Sequence, residues 1–123
     1  MMIGGCDVIF STDKTVDEAM NILNSIARLI WPNHVMRDAT EPEYKDLIEF
    51  FFYENAEVEA QIEKLGVEEH LDDSLVHVLY RDNQLTLVVS SDPTKKNAKA
   101  WIEAVSSFRI LGDLKPPFLR EFN

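Results

Sequence analysis

SLVHVLYRDNQLTLVVSS, residues 74–91, reads as a β-hairpin and sets the fold class. Strands over 75–81 and 84–90 flank Asp82-Asn83, two residues that tolerate the positive φ of a tight turn. Side chains alternate across a strand, so Leu75, Val76, Val78, Leu79 and Tyr80 place apolar groups on both faces. A strand of that kind expects cover on both sides. His77 falls on the side of Leu75 and Leu79.

Upstream, DLIEFFFYE (46–54) is the strongest apolar run, and its length and aromatic content favour a strand. One face carries Leu47, Phe51 and Tyr53, interrupted by Glu49. The other carries Ile48, Phe50 and Phe52. Asn55 then caps a helix, AEVEAQIEKL, with Val58, Ile62 and Leu65 inward and Glu57, Glu59, Glu63 and Lys64 outward. Gly66 suits the left-handed position that ends a helix. Further upstream, CDVIF (6–10) reads as a strand and HVMRDA (34–39) as a short one. Between them, Thr15 and Glu18 form a capping-box signature. Ala19, Leu23, Ile26 and Ile30 follow at helical spacing, with Val16, Met20 and Ala27 beside them, and Pro32 stops the helix.

Downstream, Asp92-Pro93 predicts a helix start, Asp as cap and Pro at the first helical position. Ala98, Trp101, Ile102 and Val105 form its apolar stripe. Lys95, Lys96 and Lys99 near its start oppose the helix dipole, so an acidic neighbour would help them. The residues from about 112, GDLKPPFLREFN, read as irregular.

The element order is therefore β-α-β-β-α-β-β-α, which predicts an α+β two-layer sandwich in a single domain over 1–123. The first six elements match the ferredoxin-like order, with an added strand and a C-terminal helix. That arrangement leaves one sheet face open, whereas these strands are apolar on both faces. The third helix, the aromatic tail or a second subunit are candidates to cover it.

Twenty-two acids face twelve bases, a formal charge of −10. This balance argues against nucleic acid and an anionic membrane surface as partners. Residues 54–73 alone hold eight acids and one base. That segment ends in GVEEHLDDS (66–74), which leaves three readings open: a metal site, a surface for a basic partner, or a solvated loop. Glu69, His70 and Asp73 are the candidate metal ligands, although their spacing matches neither paired helical histidines nor a calcium loop. Glu57, Glu59, Glu63, Glu68, Glu69, Asp72 and Asp73 are the candidates for meeting a basic partner.

One cysteine excludes an internal disulfide, and four glycines include no phosphate-loop pattern. MMIGGC has no basic region followed by an apolar run, so a signal peptide is not expected. The expectation is a soluble cytoplasmic protein without a cofactor. No nucleophile motif is present, and no catalytic residue is assigned. The leading reading is a non-enzymatic acidic interaction domain that self-associates as a homodimer and binds a basic partner. The alternative is a small-molecule-binding domain or minor enzyme with an apolar pocket against the sheet. His77, Tyr53, Tyr80 and Trp101 are its candidate lining residues.

Overall fold

Nine elements follow one another in this computed structural model, which describes residues 5–43, 46–65, 73–90, 92–108 and 118–121. They are β1 (Gly5–Ser11), α1 (Val16–Ile30), β2 (Val35–Asp38), β3 (Ile48–Tyr53), α2 (Ala56–Leu65), β4 (Leu75–Arg81), β5 (Gln84–Ser90), α3 (Lys96–Phe108) and β6 (Phe118–Glu121). The α+β class and the predicted order of the first eight elements hold. Asp82 and Asn83 take φ of 49° and 58°, the turn that a two-residue hairpin demands. Thr15 and Glu18 close the capping box, each side chain accepting from the other residue's backbone N–H.

The sheet has six strands in the order β2-β3-β4-β5-β1-β6, and every neighbouring pair is antiparallel. Two features differ from expectation. Residues 118–121, expected to be irregular, form β6 on the free edge of β1. Four residues after Pro116-Pro117 carry too little pattern to predict a strand; the exposed edge of β1 supplies the pairing. The ferredoxin-like match also ends at element order. A ferredoxin-like pairing seats the first strand beside the third, but here β4 takes that place and β1 lies between β5 and β6.

This strand order fixes what each helix can do. β3 and β4 are antiparallel neighbours, so α2 leaves and re-enters the sheet at the same end and crosses nothing. β1 and β2 run parallel with three strands between them, and β5 and β6 run parallel with β1 between them. Hence α1 and α3 carry the crossovers. They lie side by side, with Trp31 meeting Trp101 edge-on at 5.4 Å between ring centroids. The third helix therefore joins the first in the main core rather than covering the opposite face.

That core holds Leu23 and Ile26 of α1, Ala98, Trp101 and Val105 of α3, and Val8, Phe52, Val78 and Leu87 of the sheet. Fully burying side chains of this size contributes about 1.5–3 kcal/mol each. The start of α3 departs from expectation too. Asp92 accepts from the backbone and hydroxyl of Thr94, making a turn, and the helix begins only at Lys96. Its cap comes from elsewhere in the chain. Asp73 accepts the backbone N–H of Asn97 at 3.0 Å and of Ala98 at 2.9 Å, the two donors a local cap would satisfy.

Candidate functional site on the half-open sheet face

The alternation of β3 and β4 sends Glu49, Phe51 and Tyr53, with Leu75, His77 and Leu79, away from α1 and α3. Register then builds two rows across the sheet. Glu49 lies beside Leu79, Thr86 and Ile9; Phe51 lies beside His77, Val88 and Asp7. Asp7 is buried, whereas the rest of both rows is half-exposed. The product is a band in which Phe51, Leu79, Val88 and Ile9 are apolar, His77 and Thr86 lie among them, and the acids Glu49 and Asp7 stand in the outer strands β3 and β1.

His77 lies within the band. Its ring stacks on Phe51 at 4.4 Å with 16° between planes. Its Nε2 is buried without a hydrogen-bond partner and sits 3.8 Å from Glu49 Oε2. That separation is too long for a hydrogen bond. Burial pushes the imidazole down to about 4, so His77 is neutral at pH 7 and the contact with Glu49 is not an ion pair. The Glu49 carboxyl is pushed above the usual range, first by its own burial and then by the charge of Glu41.

At the other end of the face, α2 closes over Tyr53, which is 3% exposed. Arg37 of β2 pairs with Glu63 of α2 across this corner. Burial raises the Tyr53 phenol; Arg37 opposes the rise, while Glu59 and Glu63 add to it.

The four candidate lining residues are not brought together. His77 and Tyr53 share the half-open face. Trp101 is fully buried on the other side, its ring 5.3 Å from Phe52. Tyr80 also faces the helices, and its hydroxyl donates to the Lys14 carbonyl at 2.6 Å. Among the acidic candidates, Glu57 and Glu63 are exposed and Glu59 is half-buried. Both carboxylate oxygens of Asp73 are engaged by α3. Glu68, Glu69, His70 and Asp72 lie outside the described residues. Among the described residues, no three His, Cys, Asp or Glu side chains are grouped to hold a metal ion.

Two features escaped sequence reading. Glu49 reads from sequence only as an interruption in an apolar face, and His77, although a candidate lining residue, has no carboxylate neighbour that sequence could name. They become diagonal neighbours once β3 and β4 pair in register. The second is the capping role of Asp73, which no local pattern announces. Among the described residues, no helix is long and apolar enough to cross a membrane. The chain matches no protein-family model, no curated protein and no solved structure.

Proposed function

We propose that this chain is a non-enzymatic interaction domain that receives another protein surface on the half-open face of its sheet. The supporting observation is that Phe51, Leu79 and Val88, with the neutral His77 among them, lie partly exposed on the side away from α1 and α3. A contiguous apolar patch is retained at a cost in solubility, and such patches mark contact sites. Acids of the 54–73 segment at the α2 end would speed encounter with a basic surface. On this reading the protein works in the cytoplasm, meeting a basic partner or a second copy of itself.

Site-specific photo-crosslinking tests it. A photoreactive residue at position 88 should give covalent protein adducts in cells, whereas one at position 29, on the exposed surface of α1, should give far fewer. Equal yields from the two positions would remove the reading.

One observation favours a second reading: the buried His77 Nε2 has no hydrogen-bond partner. A small apolar ligand carrying one polar group could lie on the same face and supply it. Such a compound would raise the Tm of the native protein and leave that of His77→Phe unchanged.

A further inference from the structure

We infer that the occupant of the half-open face is a basic amphipathic helix, its apolar stripe on Phe51, Leu79 and Val88 and its lysine or arginine flanks over the acids at the border. This rests on the interaction-domain reading and adds the chemistry of the partner.

Charge is the first argument. At one end of the band stand Glu49 and, close enough to act on it, Glu41. At the other end stand Glu59 and Glu63 of α2, beside Tyr53. Two cations near this border already face acids: Arg37 is paired with Glu63, and Arg81 Nε lies 3.8 Å from Asp82. An apolar strip with acids at both ends complements a helix with an apolar stripe and basic flanks. A second copy would instead bring acids against acids, in a chain whose formal charge is −10.

Size is the second argument. The two rows span β3, β4, β5 and β1, roughly 14 Å across at the usual strand spacing, and lie roughly 7 Å apart along the strands. That footprint is on the order of 100 Å², well below the roughly 800 Å² per partner of a stable protein–protein interface. It does match one helix laid across the strands, about 10–12 Å in diameter, with about ten residues covering that width. The opposite face already packs α1 and α3, so a helix here would complete a three-layer sandwich around one sheet.

The test uses the full chain and a fluorescent helical peptide of about 18 residues, leucine along one stripe and lysine elsewhere. Its controls are a scrambled peptide of the same composition and a leucine–glutamate counterpart. The patterned lysine helix should bind about tenfold more tightly than either. Leu79→Ser with Val88→Thr, which leaves charge unchanged, should weaken binding about tenfold, and Leu29→Ser on α1 should leave it unchanged. Amide shifts in the unsubstituted protein, read by NMR during titration, should move at Phe51, His77, Leu79 and Val88 and stay still along α1 and α3. This readout holds even if the double variant folds poorly.

Equal binding of the scrambled or glutamate peptide would overturn the proposal, as would shifts elsewhere on the molecule. If the unsubstituted protein sediments as a dimer that Leu79→Ser with Val88→Thr dissolves, and the peptide does not bind, the face is an interface but its occupant is a second copy. That outcome sinks the helix and keeps the interaction-domain reading. No peptide binding, no dimer and no adduct from position 88 would end both.

Discussion

Protonating His77 would put a cation on a ring stacked against Phe51, with a buried Nε2 that has no hydrogen-bond partner. Its folded pKa, about 4, lies below the unfolded value of 6.5. Between these values the unfolded chain binds more protons than the folded one, so stability rises with pH across the window. The contribution is complete above about pH 6.5 and is lost as pH falls toward about 4, on the order of 3 kcal/mol at most. Glu49 acts in the opposite sense. Its raised pKa favours the folded state when it is protonated, and that contribution fades as pH rises through its folded value. Replacing His77 with Phe should therefore stabilise the domain by about 1 kcal/mol at neutral pH, by removing a buried unbonded nitrogen. It should also flatten the loss of stability between about pH 6.5 and 4. Urea unfolding at several pH values checks both; an unchanged pH profile would show that His77 titrates as it does in the unfolded chain.

Among the elements, α3 depends most on a residue far away in the chain. Its first turn contains Lys96 and Lys99 and no acid, so local sequence disfavours its N-terminus. Asp73 reverses this with two hydrogen bonds and a negative charge, and the Asn97 side chain returns a bond to the Asp73 carbonyl at 2.8 Å. Asp73→Ala should cost about 1–2 kcal/mol, the usual range for a lost cap, and Asp73→Asn about half of that. Asp92→Ala should cost less, because Asp92 shapes only the turn before the helix. Chemical unfolding with an unchanged m-value would report these differences. The β4–β5 hairpin is tuned locally instead. Asn83 sits at φ 58° and its carbonyl accepts from Thr12 at 2.8 Å. Asn83→Val should cost about 1–2 kcal/mol from side-chain crowding at positive φ. Asn83→Gly, which keeps the turn geometry free of strain, should leave melting nearly unchanged.

For the whole molecule, strand order sets the gradient of local stability. β4, β5 and β1 each have partners on both sides, and the main core lies over them. β2 is an edge, paired only with β3 and exposed at Met36, Arg37 and Asp38. Its short length and its charges blunt edge-to-edge association. Amide hydrogen exchange should therefore be slowest in β5 and its two neighbours and fastest in β2. Protection in β2 equal to that in β5 would mean that the free edge is covered in solution. Added salt should weaken capture of a basic helix by the acid-bordered face, since its charges lie near solvent, while leaving the apolar contribution in place.

Local order in this chain is written locally. The spacing of Ala19, Leu23 and Ile26, the Thr15–Glu18 capping box and the Asp82-Asn83 turn each act within a few residues, so the sequence alone determined the first helix, the hairpin and the α+β class. It also determined that β3 and β4 are apolar on both faces, which made the half-open side legible as a question. Only the tertiary structure decided which helix covers which face, that β1 lies beside β5 and recruits β6, and that α2 stays at one end. It alone brought Glu49 to His77 and Asp73 to the start of α3. The reason is physical. Each of these contacts joins residues distant along the chain, and the choice among pairings depends on the burial and hydrogen bonding of the whole sheet, a sum that no local pattern contains.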